Sequence, residues 1–198
     1  MNRQELRGQL LEIGFGPYNG QFTDNQPANN KLNLDYENLN QEQHAELHDE
    51  VVSRLCGLAE MFEPEFVIGV PNGAIGLAQA VAVHYSGFVY NPFLKKDESS
   101  KTVGYATPLD QEVAEELSCG VLIEDVLNRR STTQRVLRIP GLAPKIVAVI
   151  GIFDRSVPSE RKPVGRPVRS LVSMEIPAII DEEHELWGML VSRNGGSS

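Results

Sequence analysis

Apolar residues along the chain follow two periodicities, and their alternation predicts an α/β fold. Continuous apolar runs are typical of strands that are buried on both faces, and they predict strands at residues 66–70, 121–123 and 145–153, the last of which begins with Lys145. Helical spacing appears in residues 1–13, with Leu6, Leu10 and Ile13 on one face, and again across residues 47–62. Strands that alternate with helices indicate an open, mainly parallel sheet flanked by helices.

The remaining segments are assigned by their turn residues and their local pattern. Residues 71–74 form a tight turn before an alanine-rich helix at 75–85, and residues 88–94 are predicted as the next strand. Further elements are a helix at 134–139 that ends at Pro140-Gly141, an edge strand at 168–174 and a short strand through Leu32, Leu34 and Tyr36. Residues 14–20 are predicted as loop and 21–30 as irregular, and Asn40 with Gln43 could form a capping box.

A length of 198 residues suits one domain. We expect this domain at residues 1–192, with a core at about 40–175, a small hood built from residues 1–39 and the C-terminal tail, and a disordered end at 193–198. The hydrophobic share of 41% is ordinary, and no stretch approaches the roughly 20 apolar residues of a membrane span. Cys56 and Cys119 match neither a disulfide framework nor a metal motif, and no signal peptide is apparent, so we expect a cytoplasmic protein.

The charge pattern limits the kinds of ligand. A net charge of −9 argues against general nucleic-acid binding. Basic residues nevertheless gather around two predicted loops, the first with Lys95, Lys96 and Lys101 and the second with Arg129, Arg130 and Arg135. An acidic protein with locally basic loops favours a small polyanionic ligand over a long one.

The most informative stretch is residues 121–133. An apolar run is followed by Glu124 and Asp125, which we expect at the carboxyl end of a strand, where open α/β sheets bind ligands. Three hydroxyl residues (Ser131, Thr132 and Thr133) could cap the next helix, whose free N–H groups attract anions. Carboxylates can accept hydrogen bonds from sugar hydroxyl groups, and the neighbouring loop can bind an anion. Together they indicate a sugar phosphate as the ligand.

Three other features carry weaker signals. The turn at Asn72-Gly73 allows backbone amides to approach a ligand, although a purely structural turn is equally compatible with it. Residues 95–107 form a charged segment that is either a lid over a substrate or a solvated surface loop. His44 and His48 share a helix face but lack a third ligand, so surface roles are favoured over a metal site.

The central stretch resembles the PRPP-binding signature of the type I phosphoribosyltransferases, in which an apolar strand runs into two acidic residues and a hydroxyl-rich loop. Further segments resemble the orotate phosphoribosyltransferase branch in the same order. They are Phe15-Gly-Pro-Tyr-Asn-Gly-Gln-Phe-Thr23, Gly69-Val-Pro-Asn-Gly-Ala-Ile-Gly-Leu-Ala78, the lysines at 95, 96 and 101 with Gly104, and Asp154-Arg155 after a strand. The likeness spans roughly residues 10–175.

The resemblance implies the fold of that family, a reaction and the roles of individual residues. In the implied reaction, a nitrogenous base of the orotate type displaces diphosphate from the anomeric carbon of PRPP, and Mg²⁺ is bound through PRPP. The implied assembly is a homodimer, and neither nucleic acid nor a membrane is expected as a partner. By resemblance, Glu124 and Asp125 hold the ribose hydroxyls, with Asp125 also counted as catalytic. The other expected contacts are Asn128, Arg129, Arg130, Ser131 and Thr132 to the 5′-phosphate; Pro71, Asn72, Gly73 and Ala74 to the diphosphate; Lys95, Lys96 and Lys101 to the leaving group, the last two catalytic; and Arg155 to the base.

The sequence departs from that pattern at three places. Asn128-Arg129-Arg130-Ser131 replaces a loop that commonly contains two glycines, Val103 replaces a histidine, and Asp24-Asn25-Gln26-Pro27 replaces a segment that carries a lysine. These departures leave a second hypothesis open, a non-catalytic relative that binds PRPP or a nucleotide. A dinucleotide-dependent oxidoreductase is disfavoured because no G-x-G-x-x-G follows the first strand.

Overall fold

The computed structural model describes residues 1–21, 27–85, 87, 89–97, 99, 100 and 102–194. Its helices are α1 Arg3–Gly14, α2 Tyr36–Leu39, α3 Ala45–Glu60, α4 Ile75–His84, α5 Pro108–Glu116, α6 Ser131–Val136 and α7 Trp187–Asn194. Its strands are β1 Phe15–Gln21, β2 Pro27–Leu32, β3 Phe66–Gly69, β4 Leu94–Lys96, β5 Val103–Tyr105, β6 Gly120–Leu127, β7 Ile146–Asp154 and β8 Val168–Ser173.

A parallel sheet forms the centre of the molecule and confirms the predicted fold class. Its four strands lie in the order β3, β6, β7, β8, and every neighbouring pair is parallel. The two central strands are buried on both faces because helices cover the sheet on each side, which is why their sequences are continuously apolar. Strand β8 lies at the edge of this sheet, as its alternating pattern predicted.

Alternate residues of each strand supply the two hydrophobic cores. Val67, Val121 and Ile123 join the larger core, which contains residues of α1, α3, α4 and α7. Phe66, Ile68 and Leu122 point into the smaller core, which the β4–β5 hairpin and α6 help to close. Burial of large aliphatic and aromatic side chains on both faces stabilises the sheet at roughly 1.5–3 kcal/mol per side chain.

An antiparallel hairpin of β1 and β2 is bonded to the C-terminal segment, and we use the name hood for the two together. Asn29 N–H donates to the carbonyl of Ala178 at 3.0 Å, and Asn29 Nδ2 donates to that of Ile180 at 2.7 Å. The expected loop at 14–20 is therefore wrong, since residues 15–21 pair with residues 27–32. A two-stranded hairpin at the surface tolerates Pro17 and Gly20, which lie where its register shifts.

Other expectations needed correction. Residues 88–94 do not form a strand in the described part, where Tyr90 makes one isolated bridge to Phe66 and pairing begins again at Leu94 in the hairpin with β5. The Asn40–Gln43 capping box is absent because a 3₁₀ turn at Glu42–His44 precedes α3. Residue 193 belongs to α7 rather than to a disordered end, and Arg193 donates hydrogen bonds to the carbonyls of Phe15 and Glu12.

Within the described ranges, no helix is both long and apolar enough to cross a membrane. Nor do the described residues contain a group of three or more His, Cys, Asp or Glu side chains that could hold a metal ion. His48 instead contacts the Tyr36 ring edge-on at a centroid distance of 5.7 Å and lies 3.2 Å from Asp49 Oδ1.

Candidate functional site

The two adjacent carboxylates lie near the carboxyl end of β6, at the centre of the sheet. Glu124 pairs with Gly151 of β7, and pairing continues to Leu127 opposite Asp154, so the strand extends beyond the carboxylates. Successive residues of a strand point to opposite faces, so Glu124 and Asp125 meet different neighbours. The strand is longer than its apolar run predicted because Val126 and Leu127 continue the pairing.

Glu124 is buried, with 6% of its surface exposed. Thr133 Oγ1 donates a hydrogen bond to Glu124 Oε2. Burial raises the pKa of Glu124 to about 8, helped by the charges of Asp125 and Asp154 and opposed by the Thr133 hydrogen bond and by Arg130. Near neutral pH this carboxyl group is thus held largely protonated, and a ligand that hydrogen-bonds its ionised form would draw the pKa down.

Asp125 lies against the turn that follows β3. Burial raises its pKa as well, with a smaller contribution from the charge of Asp35. A Cβ atom added at Gly73 would lie 2.3 Å from Asp125 Oδ2 and 2.8 Å from Asp125 Cγ. Only glycine therefore lets the turn approach the carboxylate this closely.

We expect a Gly73→Ala substitution to displace the Asp125 carboxylate and to destabilise the fold by about 1 kcal/mol, since a methyl group enters an occupied space. Chemical denaturation of Gly73→Ala, of Asp125→Ala and of the double variant measures this coupling. In the Asp125→Ala background the added methyl group should cost less. Equal costs in the two backgrounds would show that the turn and the carboxylate are independent.

The loop after β6 is held by ion pairs. Arg130 has a φ of 61°, in the left-handed region that favours glycine. Its Nη2 lies 3.2 Å from Asp154 Oδ2, and Arg129 Nε lies 3.5 Å from Glu160 Oε2. The expected capping by Ser131, Thr132 and Thr133 is wrong, since Arg130 precedes α6 without a side-chain cap and the three hydroxyl residues lie in the helix.

One cavity of about 380 Å³ brings most of the expected site residues together. These residues are Pro71, Asn72, Gly73, Lys96, Glu124, Asp125, Asn128, Arg129, Arg130, Ser131, Thr132 and Arg155. Lys96 reaches the cavity from β4, whereas its exposed neighbour Lys95 does not line it, as expected for adjacent residues of a strand. Ala74 is fully buried and does not line the cavity, and Lys101 lies outside the described residues.

Arg155 was expected to contact the base, but its side chain is hydrogen-bonded mainly to other parts of the protein. The side chain is 2% exposed, and its guanidinium donates to Asn30 Oδ1 at 2.6 Å, to the Ile176 carbonyl at 3.0 Å and to the Pro177 carbonyl at 3.1 Å. These bonds join the end of β7 to the hood. Arg155 thus borders the cavity while most of its donors are engaged by protein acceptors.

Several cavity residues were missed by the sequence interpretation. They come from the hood and from the turn and strand beside it, and comprise Tyr18, Gln21, Lys31, Leu32, Asn33, Val70 and Val126. Lys31 Nζ lies 6.0 Å from the centroid of the Tyr18 ring. Lys31 was visible in the sequence as a single lysine in a polar segment. The pairing of β1 with β2, which places Lys31 beside the cavity, was not predicted.

A second cationic segment supports the loop after β6 and was also missed. Lys162 Nζ donates to Ser131 Oγ at 2.8 Å, and Arg161 Nε donates to Ser156 Oγ at 2.8 Å. Ser156 in turn donates its backbone N–H to Asp154 Oδ1 at 3.0 Å. The basic character of residues 156–167 was visible in the sequence, but its contact with the loop after β6 depends on tertiary packing.

The chain matches no protein-family model and no curated protein sequence. Its structure is similar to that of orotate phosphoribosyltransferase from Mycobacterium tuberculosis H37Rv in complex with inorganic phosphate, with a TM-score of 0.59, 15% identity and coverage of 86% of this chain and 95% of that one. A phosphoribosyltransferase from Corynebacterium diphtheriae gives a TM-score of 0.59, 17% identity and the same coverage of 86% and 95%.

A third similar structure is the UMP synthase of Leishmania donovani, with a TM-score of 0.59 and 12% identity. The match covers 86% of this chain but only 36% of that protein. At these identities the similarity shows the fold, which this chain shares with the orotate phosphoribosyltransferases and related type I phosphoribosyltransferases.

Proposed function

We propose that this protein is a phosphoribosyltransferase that transfers the 5-phosphoribosyl group of PRPP to a nitrogenous base of the orotate type. The observation that carries the proposal is the shared cavity. It combines the carboxylates of Glu124 and Asp125 with a glycine turn that touches one of them and with cationic side chains at its rim. This combination matches a ligand with sugar hydroxyls between two phosphate groups.

The proposed role of each cavity residue follows from its charge. Glu124 and Asp125 accept hydrogen bonds from the ribose hydroxyls and stabilise the positive charge that develops on the ribose as diphosphate departs. Lys96, on β4, stabilises the negative charge on the leaving group. Asn128, Arg129, Arg130, Ser131 and Thr132 bind the 5′-phosphate mainly through side chains, and the turn at Pro71, Asn72 and Gly73 faces the diphosphate.

Mg²⁺ forms part of the proposal. The ion would be bound mainly by the phosphate groups of PRPP, as is usual for Mg²⁺ at phosphate-transfer sites. When bound, the ion would neutralise part of the diphosphate charge.

The base would lie under the hood. Lys31 and Asn33 line the cavity from β2 and from the residue just after it, and Lys31 supplies a positive charge of the kind that an anionic base requires. The test is to measure diphosphate release from PRPP with orotate, uracil, adenine, guanine and hypoxanthine as acceptors. Release with orotate alone supports the proposal in full, and release with another base would overturn the orotate assignment. No release with any base would overturn the transferase.

A second candidate is a non-catalytic protein that binds PRPP or a nucleotide. It is favoured by the ion pairs of Arg130 with Asp154 and of Arg129 with Glu160, which hold cationic side chains in the loop that would receive the 5′-phosphate. A binder of this kind should be stabilised by ligand without releasing diphosphate.

The Arg130→Gly variant separates a phosphate ligand from an obstruction. Glycine relieves the left-handed strain of about 1 kcal/mol at this position but removes one charge from the cavity. If Arg130 binds the 5′-phosphate, PRPP affinity should fall about tenfold or more, because a charge-assisted hydrogen bond is lost. A rise in PRPP affinity would instead show that the Arg130 side chain obstructs the phosphate site. Calorimetric titration with PRPP and Mg²⁺ measures the change.

We also propose a homodimer, on the resemblance alone. Light scattering at micromolar concentration tests it, with a mass of twice 21.9 kDa expected and the mass of a single chain as the contradicting result.

A further inference from the structure

A second cavity, of about 650 Å³, lies beside the first. Strand β5 borders it on one side, and α6 with the residues that follow it on the other, while α5 contributes Gln111 and Glu115. Its volume falls within the range of about 300–1,000 Å³ that is usual for small-molecule sites. Helix α6 presents Ser131 and Thr132 to the first cavity and Arg135 to the second.

The charges of this cavity favour an anion. Arg135 Nη1 is buried and donates no hydrogen bond to any part of the chain that the structure describes. A guanidinium N–H group without an acceptor is unfavourable away from water. Because Arg135 lines the cavity, a small rotation of its side chain would offer this N–H group to an anionic ligand oxygen. Arg138 lines the same cavity one turn later, where its backbone N–H donates to the Arg135 carbonyl at 3.1 Å.

One carboxylate opposes these two arginines among the described lining residues. Glu115 accepts a hydrogen bond from Gln111 Nε2 at 2.7 Å. The arginines therefore retain an excess of positive charge, and two neighbouring guanidinium groups are suited to the oxygens of a phosphate.

The rest of the lining is apolar and partly aromatic. Val103 and Tyr105 are partly buried against the smaller core, Ile139 is 7% exposed, and Pro140 continues the same surface. A tyrosine ring beside aliphatic side chains is a favourable surface for a planar heterocycle. Phosphate recognition beside a surface for a flat ring is the chemistry that a nucleotide requires.

We propose that this second cavity binds a nucleotide, with its phosphate on Arg135 and Arg138 and its base against Tyr105, Ile139 and Pro140. The site is separate from the carboxylate cavity and does not depend on the transferase activity proposed above. Its ligand would contact the same hairpin that carries Lys96, since Val103 pairs with Lys96 across β4 and β5.

The test is calorimetric titration of the full chain with UMP and with AMP, each compared with inorganic phosphate and with the unphosphorylated nucleoside. Because a nucleotide could also enter the first cavity, the titrations are repeated in the double variant Glu124→Ala with Asp125→Ala, in which binding at the first cavity should be weakened. Binding at the second cavity should persist there, and it should persist even if the transferase proposal fails.

In that background we expect Arg135→Gln to weaken nucleotide binding by a factor on the order of ten to a hundred, the usual range for a lost charge-assisted hydrogen bond. Arg138→Gln, a change at an exposed side chain that should not disturb folding, should weaken it at least severalfold. Arg169→Gln removes the same charge from an exposed side chain on β8 and should have no effect. Unchanged affinity in both Arg135→Gln and Arg138→Gln, or no binding of either nucleotide at millimolar concentration, would overturn the site.

Discussion

Replacing Arg155 by alanine should lower the free energy of unfolding by about 3 kcal/mol, because buried acceptors lose their donor. The guanidinium bonds Asn30 Oδ1 at 2.6 Å and the carbonyls of Ile176 and Pro177 at 3.0 and 3.1 Å. Burial lowers the pKa of Arg155 to about 10, so the group stays charged at neutral pH. Urea denaturation of the wild type and of the variant measures the difference.

Arg169 provides the matched control for this substitution. Its side chain is exposed on β8 and, among the residues that the structure describes, donates one long hydrogen bond of 3.5 Å to the neighbouring carbonyl of Val168. Arg169→Ala should change stability by less than about 0.5 kcal/mol, as is usual for surface positions. If Arg155→Ala were no more destabilising than this control, Arg155 would not join the hood to the sheet, and a role in contacting the base would be favoured again.

The second large effect is a pH dependence of stability that disappears in Glu124→Gln. The folded pKa of Glu124, about 8, lies above its ordinary value of 4.5. Protonation therefore favours the folded state in full below about pH 4.5, and this contribution is lost as the pH rises through 8. Glutamine keeps the shape of the protonated group and cannot ionise, so Glu124→Gln should be more stable than the wild type by roughly 4 kcal/mol at pH 8.

Denaturation curves between pH 5 and 9 test this expectation through the difference between the two proteins. That difference should grow with pH over the window below about pH 8 and then level off. Glu112→Gln, on the exposed surface of α5, is the control and should follow the wild-type curve. A constant difference between Glu124→Gln and the wild type across the range would mean that Glu124 is ionised in the folded protein throughout.

The sheet could be predicted from the sequence because each buried strand shows its apolar pattern within its own short stretch of residues. Residues 66–70, 121–123 and 146–153 contain no polar side chain, and β3, β6 and β7 occupy those positions with a shift of a few residues at their ends. The turn at residues 71–74 was predicted for the same reason, since Asn72-Gly73 follows a strand directly. Glu124 and Asp125 were also placed correctly on the central strand, although this strand continues through Val126 and Leu127 instead of ending at the carboxylates.

The hood and the residues that depend on it could not be predicted in the same way. Strand β1 contains Pro17 and Gly20, so its local pattern indicates a loop, and only its pairing with β2 defines it as a strand. The role of Arg155 depends on Asn30 and on residues 176 and 177, which are distant in the sequence. The ion pair of Arg130 with Asp154 likewise joins the loop after β6 to the end of β7, which only the sheet brings together.

The central claim is that Glu124 and Asp125 bind the ribose of PRPP, and thermal unfolding with PRPP and Mg²⁺ tests it most directly. A ligand that binds only the folded protein adds about 2.7 kcal/mol of stability at a hundredfold excess over its dissociation constant. We expect a clear rise in the midpoint for the wild type and almost none for the Glu124→Ala and Asp125→Ala double variant, which should still unfold cooperatively. An unchanged wild-type midpoint at millimolar PRPP, or an equal rise in the double variant, would contradict the claim.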